Sequence, residues 1–212
     1  GGDGLSWATA KQTIPEGIAV RGEQTQVWVA EGTYPGTIQM QDAIELYGGF
    51  DGTETDISER DVEAHETIIY ADYAYHCLTY YYTIKTRVDG FTVTGGYAAE
   101  NAWWAAGGGG FYAEGSGGNT VANCRIFGNG APEYGGAVFL KKLGVTPSSF
   151  VLENCLICGS VARYGGAIAC YDNYLGALTL RNCIISGNIA SSEGGAIWLG
   201  GTWVSSTPGI TV

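Results

Sequence analysis

Val121-Ala-Asn-Cys-Arg-Ile-Phe-Gly-Asn129 returns as Leu152-Glu-Asn-Cys-Leu-Ile-Cys-Gly-Ser160 and again as Leu180-Arg-Asn-Cys-Ile-Ile-Ser-Gly-Asn188. Each copy is followed by a small-residue element: Gly135-Gly-Ala-Val, Gly165-Gly-Ala-Ile and Gly194-Gly-Ala-Ile. The Asn-Cys pairs start at 123, 154 and 182, so the steps are 31 and 28 residues; the Gly-Gly-Ala triplets start at 135, 165 and 194, with steps of 30 and 29. Fixed periods of this length mark a solenoid, a propeller or an array. The segments between the landmarks are short and rich in β-branched residues. None supplies the roughly 10–12 residues at a 3.6 period that a helix needs.

The apolar alternation changes parity at each Asn. Leu178 and Leu180 share one strand face, but past Asn182 the apolar partners are Cys183 and Ile185. The same shift surrounds Asn123 and Asn154. A one-residue corner produces such a shift, and Asn tolerates the left-handed backbone that the corner requires. Recurrence once per turn then predicts a ladder of Asn123, Asn154 and Asn182, with Cys124, Cys155 and Cys183 filling an interior column beside it. The paired glycines permit positive φ or close backbone approach. Each coil therefore comprises about three short strands. A WD-type propeller blade would need about 40–45 residues. The expected fold is all-β: a single-stranded parallel β-helix, right-handed as parallel crossovers are.

These landmarks resemble the right-handed β-helix repeats of chlamydial polymorphic outer-membrane proteins and of secreted Bacteroidetes β-helix proteins. The likeness extends to Val27-Trp-Val-Ala-Glu-Gly-Thr-Tyr34, Leu46-Tyr-Gly-Gly-Phe-Asp-Gly-Thr-Glu54 and Asp89-Gly-Phe-Thr-Val-Thr-Gly-Gly96. It departs where the chlamydial Phe position is held by Ile126 and Ile185, and where Ser160 replaces the second Asn. The resemblance implies a secreted or outer-cell-surface location and an adhesive role.

Only 15% of the 212 residues are charged, and 35 are glycine, as suits a solenoid with a continuous interior. The formal charge of −11 argues against nucleic acid and anionic membrane surfaces as partners. No apolar run approaches the ~18 residues of a membrane span, so this segment is not expected to insert into one. Residues 1–26 read as an amino-terminal cap, with Trp7 and Ile14 laid over the core. Residues 27–212 read as the β-helix. Gly1-Gly-Asp-Gly4 resembles an interior or mature start. Pro208-Gly-Ile-Thr-Val212 reads as the lead-in to another corner. The β-helix is thus expected to be truncated at its carboxy-terminal end, which would meet its parent chain or another molecule end to end.

Four candidate chemistries follow. The acidic loop from Asp51 to Asp61 could hold calcium through Asp51, Glu54 and Asp56, although it lacks EF-hand spacing; its bland alternative is a solvated loop pinned by Arg60 to Asp61 or Glu59. The chain has no motif of the polygalacturonase kind for a carboxylate pair, and no catalytic residue is assigned. Uronate lyase chemistry needs a base and a cation, for which Lys85, Arg87 and His76 are the best set; His65 reads as solvated. Exposed aromatics stack on sugars or anchor interfaces. Here Trp103, Trp104, Tyr171 and Tyr174, with Lys141-Lys142, form the candidate binding set, and Gly109-Gly110 is the corner that returns the Trp loop. Cys155-x-x-Cys158 is a poor zinc motif, because the repeat already uses Cys155 and no second pair matches it. The function expected is adhesion or glycan or host-protein binding without catalysis and without a cofactor other than calcium. A polysaccharide lyase or glycoside hydrolase acting on acidic glycans, and a structural spacer, are the alternatives.

Overall fold

The computed structural model describes residues 2–20, 26–98, 106–141, 149–171, 177–201 and 210–211. Three parallel sheets run the length of the molecule. The first has seven strands: Gln26–Ala30, Glu45–Phe50, Arg87–Asp89, Asn119–Ala122, Ser149–Glu153, Ala177–Arg181 and Ile210–Thr211. The second has six: Gly32–Pro35, Thr67–Tyr70, Phe91–Thr94, Arg125–Phe127, Leu156–Cys158 and Ile184–Ser186. The third also has six: Ile38–Gln39, Leu78–Tyr81, Phe111–Glu114, Val138–Lys141, Ile168–Tyr171 and Ile197–Gly200. Spatial order equals chain order in every sheet, so each three-strand coil lies on the one before it. A two-stranded pairing of Val161–Tyr164 with Ile189–Glu193, not anticipated from the sequence, joins the last two full coils at the corner between the second and third sheets.

Alternation within a strand decides what is inside. On the third sheet, Val138 and Leu140 enter the core, while Phe139 and Lys141 point outward. Registered partners repeat this choice, so like stacks on like. Leu46, Val88, Val121, Leu152 and Leu180 form one buried column. Ile69, Val93, Ile126 and Ile157 form a second. Each such side chain contributes about 1.5–3 kcal/mol when fully buried.

The three Asn corners have φ of 50°, 53° and 49° at Asn123, Asn154 and Asn182. Their amides form a continuous line. Asn182 Nδ2 donates to Asn154 Oδ1 at 2.9 Å, and Asn154 Nδ2 donates to Asn123 Oδ1 at 3.1 Å. The cysteine that follows each Asn does more than fill space. Cys124, Cys155 and Cys183 direct their thiols at the carbonyls of Ala122, Glu153 and Arg181, two residues back across the corner. An alanine there would leave those carbonyls one donor poorer. All six cysteines are free thiols. Burial pushes the Cys77 and Cys170 thiols up to about 12, which keeps them protonated and unreactive.

A second amide position clamps neighbouring coils. Asn129 Nδ2 donates to Val93 O at 3.0 Å, and Asn129 Oδ1 accepts from Gly96 N at 2.9 Å. Asn188 repeats this with Ile157 O at 3.0 Å and Ser160 N at 2.9 Å. Ser160 holds the same place in the coil between them. It is buried, and its Oγ has no hydrogen-bond partner. Ser160→Asn is therefore expected to restore the clamp and raise stability by about 1 kcal/mol. A urea midpoint that falls instead would mean that the site lacks room for the amide.

Three expectations need correction. In the third coil the Gly-Gly corner is Gly108-Gly109 rather than Gly109-Gly110: Phe111 pairs with Val138, so Gly110 takes the place of Ala137, and Gly108 carries the left-handed φ of 71°. Trp7 does not share the core with Ile14. Ile14 and Ile18, on the α-helix Ile14–Ala19, are buried in the main core. That helix begins with a Thr13/Glu16 capping box. Trp7 instead packs on the outer side of the first sheet, 5.6 Å from Phe50 and 6.3 Å from Trp28. Finally, Arg60 does not pin its loop through Asp61 or Glu59. It crosses to Asp89 of the next coil, with Nη2 2.6 Å from Oδ1.

Candidate functional site

The outer side of the first sheet carries an ionic cluster centred on Asp89, whose side chain is 2% exposed. Its carboxylate accepts from Arg60, from Arg87 Nε at 2.9 Å and from Asn123 Nδ2 at 2.9 Å. Arg87 also reaches Glu153 at 3.1 Å, past the small Ala122 of the intervening coil. Burial works against the charge of Arg87, but the two carboxylates outweigh it and raise its pKa. Asp89 thus continues the Asn ladder upward and anchors the acidic loop. Every strong donor here is matched by an acceptor, which is the pattern of a structural clasp.

The proposed lyase set does not assemble. Arg87 is held by Asp89 and Glu153 on the first sheet, and Lys85 occupies an exposed corner with φ 58°. His76 is buried before the third sheet, with Nδ1 2.9 Å from Gly108 O. His65 meets Glu31 at 2.8 Å, and that hydrogen bond raises its pKa above the ordinary histidine value.

The acidic loop spends its carboxylates on its own backbone. Asp51 Oδ1 accepts from Thr53 N at 2.8 Å. Glu54 accepts from Asp51 N at 2.7 Å and from Gly52 N at 3.0 Å. Asp56 accepts from Ser58 N at 2.9 Å, opening the short 3-10 helix Ile57–Glu59. Hydrogen bonds from the Thr53 and Ser58 hydroxyls, together with these backbone bonds, hold the Asp51 and Asp56 carboxyls below their usual range. Among the described residues, no three His, Cys, Asp or Glu side chains converge as metal ligands would.

Aromatic rings gather instead on the outer face of the third sheet. Outward register positions place Thr79, Tyr112, Phe139, Ala169 and Trp198 in one line. Tyr81, Glu114, Lys141, Tyr171 and Gly200 form the next. Tyr134 and Tyr164 enter from the corner that precedes each Gly-Gly. Tyr134 stacks on Phe139 at 5.1 Å and on Tyr164 at 5.5 Å. Trp198 lies 5.2 Å from Tyr164 and 6.2 Å from Tyr171. The rings close over the buried Ala169, whose small side chain leaves the space that they fill. Nearer the amino terminus, Tyr81 packs 5.4 Å from Tyr112. There Tyr73, Tyr75, Tyr81 and Tyr82 are between 41% and 68% exposed, flanking both ends of Leu78–Tyr81.

Of the binding residues expected from the sequence, Tyr171 lies in this face. Trp103, Trp104, Tyr174 and Lys142 fall outside the described residues. Lys141 is buried on the face, 3.4 Å from Glu114. Tyr134 and Tyr164 were not singled out by sequence reasoning. Their signal was the Tyr-Gly-Gly-Ala that precedes two of the three repeats, while the third has Glu193. Asp89 was likewise missed, because its Asp-Gly has the appearance of an ordinary turn.

Stacked parallel coils with amide-lined corners and no closed barrel define the chain as a parallel β-helix. The family model for the right-handed β-helix region matches residues 42–208. That span is most of the sequence, and the chain belongs to this family. No curated protein and no solved structure matches it significantly.

Proposed function

We propose that this chain is an exported, surface-displayed β-helix segment that binds carbohydrate through the aromatic outer face of its third sheet, in the service of adhesion. The observation that carries this reading is the concentration of solvent-facing tyrosines around Leu78–Tyr81, continuous with the ring wall of Tyr134, Tyr164, Tyr171 and Trp198. The inner core is already complete without them. Flat rings held on a rigid sheet lose little entropy on binding and present apolar faces edged by hydroxyls, which suits sugar rings.

The test is a glycan array probed with the parent protein and with Tyr75→Ala/Tyr81→Ala and Tyr171→Ala, each checked by circular dichroism for an unchanged spectrum. Each ring removed from a contact is expected to weaken its hits by about tenfold, the equivalent of 1.4 kcal/mol. Hits that bind all three proteins equally would place the binding elsewhere or abolish the proposal.

A further inference from the structure

Among the described residues, each cation of the aromatic face has a carboxylate beside it. Lys141 lies 3.4 Å from Glu114, which also accepts from Tyr112 Oη at 2.7 Å. Arg163 lies 3.3 Å from Glu133 and above the Tyr164 ring at 5.1 Å. Glu193 accepts from the Trp198 indole at 3.1 Å and, among the described residues, has no cation beside it. Among the described residues of this face, three carboxylates therefore face two cations, within a chain of net charge −11. A polyanion approaching here meets cations already neutralised, a residual negative charge and a repulsive long-range field. A neutral sugar chain loses nothing on these grounds and gains from rings, tyrosine hydroxyls and carboxylate acceptors.

The face also has a direction. Tyr81, Glu114, Lys141, Tyr171 and Gly200 follow one another in register across successive coils. At roughly 4.8 Å per coil, these four steps span about 19 Å along the solenoid axis. A short run of sugar rings laid lengthwise fits that strip better than a compact branched headgroup. Resting on the carbohydrate reading above, we infer that the ligand is an extended, uncharged polysaccharide chain lying parallel to the coil axis, and that acidic glycans are excluded by the paired cations.

Isothermal titration against length-matched neutral oligosaccharides (glucan, mannan and xylan types) and against oligogalacturonate and alginate fragments tests this. The neutral series is expected to bind, to tighten with chain length until the strip is filled and to change little with added salt. The acidic series is expected to bind at least about tenfold more weakly. Glu133→Gln, which unmasks Arg163, is expected to narrow that gap. Acidic fragments that bind better than neutral ones, yet are lost in Tyr75→Ala/Tyr81→Ala, would overturn the neutral class and leave the face intact. Neutral binding that ignores both the tyrosine substitutions and chain length would overturn the face itself, and absence of binding by any glycan would overturn both.

Discussion

Replacing Asp89 by alanine is expected to destabilise the protein by about 3 kcal/mol, at the lower end of the ~3–5 kcal/mol range for breaking a buried ion pair. The carboxylate is almost fully enclosed, and three groups depend on it: Arg60, Arg87 and the Asn123 amide. Removing it deprives two guanidinium groups of the carboxylate that they share. Both arginines retain some solvent access, at 16% and 30% exposure, which is why the lower end is expected. For a chain of this length the melting temperature should fall by roughly 6–12 °C. Asp89→Asn retains an acceptor for Asn123 but not the charge, and should cost less. The measurement is a pair of thermal melts, with proteolysis of the 51–66 loop as a second readout. An unchanged melt for Asp89→Ala would mean that the arginines find water as readily as they find the carboxylate.

Gly136→Ala should be at least as damaging, and for a different reason. A Cβ built there would lie 2.6 Å from the carbonyl oxygens of Gly166 and Val161 and 2.7 Å from the Val161 nitrogen. All three are backbone atoms of the next coil, fixed by sheet spacing, so none can rotate away. The coils must part locally, and the cost should reach the upper end of the ~1–3 kcal/mol typical of overpacking or exceed it. Gly187→Ala is the control. Gly187 has φ 62° but nothing within 4 Å of the added Cβ, so only backbone strain is charged, about 1 kcal/mol. Urea titrations of the two variants separate the effects. Equal losses would show that the second glycine of the repeat is kept for its backbone freedom rather than for closeness of approach.

The periodic part of this fold was legible because a solenoid copies its local environment once per turn. One Asn per corner, one thiol behind it and one Gly-Gly before the third strand each solve a problem that recurs at the same place. A residue's neighbours in space are then its own counterparts in sequence, and reading along the chain amounts to reading contacts. Asn182, Asn154 and Asn123 bond one another because they occupy equivalent positions.

What the amino-acid sequence alone determined is therefore the repeating unit: strand, Asn corner, strand, Gly-Gly approach, strand. Only the tertiary structure decided the contacts that occur once. Arg60 reaches forward past its acidic neighbours to Asp89, and Arg87 reaches across a whole coil to Glu153, through gaps that depend on which intervening residue is small. Tyr134, Tyr164, Tyr171 and Trp198 meet over Ala169 for the same reason: one short side chain in an outward column leaves a hollow, and long rings from adjacent coils lean into it. Such encounters are set by side-chain reach across the stack, a distance in space that no period along the chain encodes.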